Sequence, residues 1–273
     1  MDNLIIPTEF SKESLQTVDM AIHMANVMGA DITMVYVQKK RENAHPTKMD
    51  EELEYARKRF DEIVEEYKGK MNKPDGLKYA IKKGVVYQEV NKVAWDLENP
   101  IILTPTHGAS GFDPLFLGDN AYKIVSYATG PVITIRHGEI HPNIKTIVMP
   151  MDKSRETVEK IPATIAFAKK FNAKVHIVSI SSHHLSEIKD KMNTLTEKVM
   201  KQFTDEGIEY ECEFLIGNNL ANMTIDYAKE VDADIICIMS EQKKSESDIL
   251  GVYAHYIMKN SPIPVLVVPS DKK

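Results

Sequence analysis

Several things are scarce in this chain, and each scarcity closes off a class of protein. Only Cys212 and Cys237 are cysteines among 273 residues. Both sit in apolar, strand-like runs, which is the pattern of buried reduced thiols rather than of a disulfide or metal pair. Positive charge is not in excess: the formal net charge is −6. A general nucleic-acid or anionic-membrane binder needs a basic surface, so neither partner is expected. No apolar run reaches the roughly 18 residues that a membrane-spanning helix requires. No basic and then apolar leader opens the sequence, since Asp2-Asn3-Leu4 runs straight into a strand. The expectation is a soluble, cytoplasmic protein. Catalytic signatures are also missing. No Ser/His/Asp or Cys/His arrangement stands out, and Asp113 and Asp119 share a loop without an evident acid–base partner. His183 and His184 are adjacent, so they do not converge on one metal, and no metal site is expected.

What the chain does have is organised around residues 101–121. The apolar run Ile101-Ile102-Leu103-Thr104 ends at Pro105. A loop bearing Gly108 and Gly111 follows, and a helix is expected to start just after Gly118. Strand, glycine loop and helix N-terminus together can cradle an anion. Backbone N–H groups point at it, and glycine lets the chain come close. No Gly-Lys-Ser/Thr follows, so the stretch is not a Walker loop, nor is it G-x-G-x-x-G. A structural turn whose glycines merely permit unusual backbone angles fits the same residues.

Around this stretch strands alternate with helices. Leu4-Ile5-Ile6-Pro7 reads as a strand, and Ser11 with Glu13 suits a helix start. Leu15, Val18, Ile22, Ala25 and Met28 keep helical spacing up to Gly29. Residues 32–37 form an apolar strand. Residues 49–67 form a charged helix with Leu53, Ala56, Phe60, Ile63 and Val64 on one face, its Glu51-Glu52 and Glu65-Glu66 pairs reading as exposed. A weak strand (77–81), a helix (86–97), the 100–104 strand, a helix (120–128) and a strand (132–135) complete the set. The polar, punctuated segment after His137 is a linker, residues 138–143.

Then the pattern repeats. Ile147-Val148-Met149-Pro150 matches Leu4-Ile5-Ile6-Pro7 at an offset of 143, which holds from Ser11 and Ser154 through Val37 and Ile180. Later the offset is 133, pairing Gly84 with Gly217, Gly118 with Gly251, and Pro131-Val132 with Pro264-Val265. A repeat this long is a duplicated domain, not a solenoid unit. The expected fold is therefore α/β: two domains, 1–137 and 144–273, each a doubly wound, mostly parallel five-stranded sheet with helices on both faces. Ligands in such sheets bind beyond the carboxyl ends of the strands, where the strand order reverses. The turns at Thr8-Glu9 and at 106–118 lie there.

With both halves in view, the sequence resembles the universal stress protein family, as a tandem member. The carrying residues are Ile6 to Ser11, then Pro105-Thr106-His107-Gly108 with nine residues to Gly118, and the two strand ends at Pro131 and Pro264. The resemblance implies a fold of the adenine nucleotide alpha hydrolase type. It also implies pairing of the last strands, 131–136 and 264–269, into a pseudo-dimer, and a homo-oligomeric (dimeric) chain. Family members that bind ATP carry G-x-x-G, nine residues, then G-[S/T], with an aspartate after strand one and a valine ending strand two. Carried over, the nucleotide candidates in domain 1 are Pro7, Thr8, Glu9, Val37, Thr106, His107, Gly108, Gly111, Gly118, Asp119 and Asn120. Two departures stand out: Pro105 replaces the first glycine, and Asp119 replaces the hydroxyl. A carboxylate there repels a triphosphate by about 1 kcal/mol per charge at 4 Å in water-like dielectric. A divalent cation such as Mg²⁺ reverses that sign by bridging.

In domain 2, Met239-Ser240-Glu241-Gln242 stands at G-x-x-G and Val252 at the hydroxyl. Asp152, Ile180 and Gly251 keep their places in what reads as a degenerate site. The loop residues Lys243-Lys244 read as solvated, and the 14 methionines as core filler. The functional expectation is a cytoplasmic stress-response binding or regulatory protein with at most a residual ATP site in domain 1. The alternative is an interaction or small-ligand module without nucleotide. An ATP hydrolase is a third reading, resting on fold analogy alone.

Overall fold

In a computed structural model of the chain, the residues described are 2–39, 46–106, 117–136, 143–154, 156–182, 186–240 and 250–270. The chain divides into two compact units, Met1–His137 and Gly138–Lys273. In the first, β1 (Asn3–Pro7), α1 (Lys12–Met28), β2 (Asp31–Lys39), α2 (Pro46–Tyr67), β3 (Leu77–Gly84), α3 (Val86–Trp95), β4 (Pro100–Pro105), α4 (Asp119–Tyr127) and β5 (Val132–Ile135) follow one another. The strands lie in the order β3-β2-β1-β4-β5, and every described pair is parallel. The second unit repeats this with β6 (Thr146–Met151), α5 (Ile161–Phe171), β7 (Lys174–Ser181), α6 (Ser186–Asp205), β8 (Tyr210–Ile216), α7 (Leu220–Glu230), β9 (Ile235–Met239), α8 (Val252–Asn260) and β10 (Val265–Val268). Its order is β8-β7-β6-β9-β10, again parallel. Each unit is thus the doubly wound α/β sheet that alternating strands and helices predict. No described helix is long and apolar enough to cross a membrane.

The duplication extends to individual hydrogen bonds. Asn3 opposes Asp31 in the first sheet, and Thr146 opposes Lys174 in the second, both at the 143-residue offset. Helix α1 ends at Gly29 in the left-handed region (φ 66°), with the N–H groups of Gly29 and Ala30 both donating to the Ala25 carbonyl. Asn172 (φ 49°) ends α5 the same way, with its N–H and that of Ala173 on the Ala168 carbonyl. Asparagine is the residue that most readily replaces glycine in that conformation.

Two expectations are corrected. The second unit's first helix begins later than the repeat implies: a 3₁₀ turn, Glu156–Val158, precedes α5. Pro162 in the first turn of α5 lacks an N–H, so it fits a helix start and not a helix interior. Cys237 is buried as expected, against Thr164 Oγ1 at 3.2 Å, and burial pushes its thiol up to about 11. Cys212, however, is exposed, because β8 ends its sheet and has only one neighbouring strand.

His176 on β7 is buried, with Nδ1 3.0 Å from the Tyr227 hydroxyl. Burial pushes its pKa below the ordinary 6.5, outweighing the upward pull of the Glu211 carboxylate, and Lys174 adds to the downward shift. The unfolded imidazole therefore takes up a proton that the folded one resists. Stability from this group is present above pH 6.5 and is lost as pH falls below it. His255, also lowered by burial, acts in the same sense. The thermal midpoint should fall on acidification through this window, with a shallower fall in His176→Asn. Equal slopes in the two proteins would refute the assignment.

Candidate functional site

Register explains where the first unit opens. β1 and β4 pair from Asn3–Pro100 to Ile5–Ile102 and no further, although both strands continue. Beyond Ile5 the β1 residues pair only with β2, and beyond Ile102 the β4 residues pair only with β5. The strands that part are those at which the crossovers change direction, which is where such sheets bind ligands. A cleft of about 490 Å³ lies there. Its size is in the range of small-molecule sites.

Eight of the eleven residues singled out in the first domain line this one cleft: Pro7, Thr8, Glu9, Val37, Thr106, Gly118, Asp119 and Asn120. His107, Gly108 and Gly111 lie outside the described residues. So do Asp113, His183, His184, Lys243 and Lys244.

The floor is built by hydrogen bonds that fix the turn after β1. The Thr8 N–H donates to the Val35 carbonyl at 2.9 Å, continuing the ladder. Thr8 Oγ1 donates to Ser14 Oγ at 3.0 Å and accepts from the Phe10 N–H at 3.1 Å. That contact holds Phe10 in a left-handed conformation (φ 62°), and its ring stacks on Tyr36 at 5.3 Å. One wall is apolar, with Val35 and Val37 from β2 and Val86 from the start of α3.

The opposite wall is the N-terminus of α4. The Gly118 N–H donates to the Thr106 carbonyl at 2.8 Å, and the Thr106 N–H donates to Ile135 at 2.9 Å. The two ends of the intervening loop are thereby pinned together. Because Gly118 spends its N–H on the neck, the donors that the start of α4 offers a ligand are the first-turn amides of Asp119, Asn120 and Ala121, which have no partner within the helix. Asp119 itself is not a bare charge. Its Oδ2 lies 2.8 Å from Lys123 Nζ one turn on, and its side chain is 75% exposed. Hydrogen bonding to Asp119 raises the Lys123 pKa.

Among the described residues the charge lining the cleft is mainly negative: Glu9, Glu52 and Asp119 against Lys39. Glu52 is a correction to the reading of its helix pair as exposed. It is half-buried and accepts from the Tyr36 hydroxyl at 2.5 Å. The sequence offered a faint cue for Tyr36, the lone aromatic in the aliphatic run of β2. It offered none for Glu52, whose place depends on how α2 lies across the sheet, or for Lys39 at the end of β2.

The second unit keeps the frame and changes the contents. Ser240 donates to Val268 at 2.9 Å and accepts from the Gly251 N–H at 3.2 Å, which repeats the pinned neck. Asp152 is tied into its own turn, its Oδ1 accepting from Ser154 N–H (3.0 Å) and Ser154 Oγ (2.6 Å). Val252, where a hydroxyl would contact phosphate, is 86% exposed. Lys160 takes the place of Thr17 and is buried, donating to the Thr157 carbonyl at 2.7 Å and hydroxyl at 3.0 Å. Ile180 is buried at the end of β7. Among the described residues no group of three His, Cys, Asp or Glu side chains could hold a metal ion.

The Thr8 hydroxyl is the joint of the floor. Replacing it with valine leaves the Phe10 N–H and Ser14 without it, so Thr8→Val should cost about 1–3 kcal/mol in urea unfolding. Thr8→Ser should retain most of that stability. Equal losses in both variants would show that the methyl, not the hydroxyl, matters.

Comparison with known proteins agrees with this architecture. The sequence model of the universal stress protein family matches residues 1–136 and again residues 143–269. A universal stress protein of Methanocaldococcus jannaschii is 32% identical over 155 residues, 51% of this chain and 89% of that protein. Among solved structures, a universal stress protein from Archaeoglobus fulgidus superposes with a TM-score of 0.78 at 20% identity, covering 99% of this chain and 97% of that one. A putative universal stress protein from Pseudomonas aeruginosa gives 0.63 at 15% identity, covering 99% and 93%. With two matched copies filling nearly its whole length, parallel sheets of the same order and the cleft at the β1/β4 switch, the chain belongs to the universal stress protein family.

Proposed function

We propose that the first unit binds an adenine nucleotide together with Mg²⁺, and that the chain is a cytoplasmic stress-response binding protein rather than an enzyme. The observation that carries this is the convergence of Val37, Gly118 and the first-turn amides of α4 on one cleft at the strand-order reversal. Val35 and Val37 suit a flat, apolar base, and the α4 amides suit a phosphate. The carboxylates explain the metal. Glu9, Glu52 and Asp119 make the cleft hostile to a naked triphosphate, whereas a cation-neutralised one meets less repulsion. The Asp119–Lys123 pair lowers the cost further by leaving less uncompensated charge at the helix start. On this reading the second unit's site is degenerate, since Val252 replaces a polar contact and Asp152 is committed to its turn.

A second reading follows from the same Asp119. The protein's own carboxylate sits at the helix N-terminus, where a ligand's anion would go. A small ligand of low charge, without phosphates, is compatible with that arrangement. Hydrolysis is not proposed, because the described residues of the cleft offer contacts for a base and a phosphate and no placed water-activating pair.

Calorimetry with ATP in excess Mg²⁺ separates these readings. Wild type should bind, and with Mg²⁺ withheld Asp119→Ser should bind about fivefold more tightly than wild type, as removal of roughly 1 kcal/mol of repulsion requires, a gain that excess Mg²⁺ should largely remove. Binding should weaken sharply when Mg²⁺ is chelated. Absence of binding in both proteins would overturn the nucleotide reading.

A further inference from the structure

The two units end in edge strands of opposite charge. β3 closes the first sheet and β8 the second, each hydrogen-bonded to one neighbouring strand. Met34 opposes Tyr79, and Ile177 opposes Cys212, so Lys78 and Glu211 occupy the same position in the two copies. Each is paired with the first residue of the strand beside it, and the signs are exchanged. Asp31 on β2 meets Lys78 at 3.3 Å, whereas Lys174 on β7 meets Glu211. Asp31 is held below the ordinary carboxylate value: burial pushes it up, but hydrogen bonds from Lys73 and Lys78 outweigh that. Lys174 lowers Glu211 in the same manner.

The rest of each edge follows its sign. β3 carries Lys78, Lys82 and Lys83 and no acid. β8 carries Glu211 and Glu213, with Glu209 just before it, and no base. All six side chains are exposed, and neither Lys82 nor Lys83 has an ion-pair partner among the described residues. An exposed edge is a template for another strand, and lysines on an edge normally discourage pairing with a like edge. Against an acidic edge the same lysines attract.

We propose that β3 of one chain pairs antiparallel with β8 of a second copy. Because the two edges are equivalent in the repeat, only the antiparallel arrangement puts matching sheet faces side by side. One register then brings two opposite-charge pairs together, Lys78 opposite Glu213 and Lys82 opposite Glu209, and leaves Glu211 opposite Ala80, where its own chain's Lys174 already pairs with it. Opposite charges facing one another across strands stabilise the pair, and like charges destabilise it. Each chain has one edge of each sign, so the contact is heterologous and joins chains head to tail.

The test is sedimentation of the full-length chain over a range of concentration and salt. Wild type should associate at low ionic strength and dissociate as salt screens the edges. Lys82→Glu should raise the dissociation constant at least about fivefold, and adding Glu209→Lys should restore wild-type association. Because the second change rescues the first, loss through misfolding is told apart from loss of the contact. In a separate variant, Lys82→Cys with Glu209→Cys should give disulfide-linked multimers under mild oxidation. A monomer at every concentration, association indifferent to both charge and salt, or a disulfide formed only within one chain would each overturn the proposal.

Discussion

The structure of the first unit depends on one constraint: β1 and β4 stop pairing after Ile5 and Ile102 while both strands continue. Neighbouring parallel strands normally share a ladder to their ends. Here the crossovers diverge, with β1 leading through α1 to β2 on one side and β4 leading through α4 to β5 on the other. The backbone beyond the last shared pair must therefore find other partners. Thr8 finds Val35, and Thr106 finds Ile135 and Gly118. Those bonds leave a gap floored by buried threonines and walled by β2 valines and the start of α4. The cleft follows from the topology, and its chemistry is what side chains add afterwards.

The second unit shows that separation directly. Its scaffold bonds are the same: the Val148–Ile236 end of pairing, the Ser240–Val268 and Gly251–Ser240 bonds, and the left-handed cap at Asn172 in place of Gly29. The chemistry has drifted. Lys160 fills the interior where Thr17 stood, Asp152 closes on Ser154, and Val252 stands exposed at the helix start. Selection for folding alone would preserve the first set, because unmade buried backbone bonds cost stability, and would release the second. Charge drifted as well, with the Asp31–Lys78 pair reappearing as Lys174–Glu211.

Much of this was legible in the sequence, for identifiable reasons. Alternating strand and helix periods named the fold class, since the central parallel strands are buried on both faces and read as continuous apolar runs. The pairing of Leu4-Ile5-Ile6-Pro7 with Ile147-Val148-Met149-Pro150 exposed the duplication. The cleft residues Thr8, Glu9, Thr106 and Gly118 were reachable because they lie in turns that follow the carboxyl ends of strands, and Asp119 through the resemblance to the family's loop motif. What escaped depends on contacts distant in sequence. Glu52 reaches Tyr36 only because α2 lies over β2, and Lys123 neutralises Asp119 only because α4 begins where it does. Cys212 was misjudged because the apolar Phe214-Leu215-Ile216 after it outweighed Glu211 and Glu213 on either side of it, the charges that mark β8 as an edge strand.

The central claim is that one unit holds a ligand at the start of α4 and the other does not. Amide hydrogen exchange tests it residue by residue. On addition of Mg²⁺ and ATP, the amides of Asp119, Asn120 and Ala121 should exchange more slowly, while those of Val252, Tyr253 and Ala254 should be unchanged. Equal protection in both units, or protection confined to α8, would contradict the account.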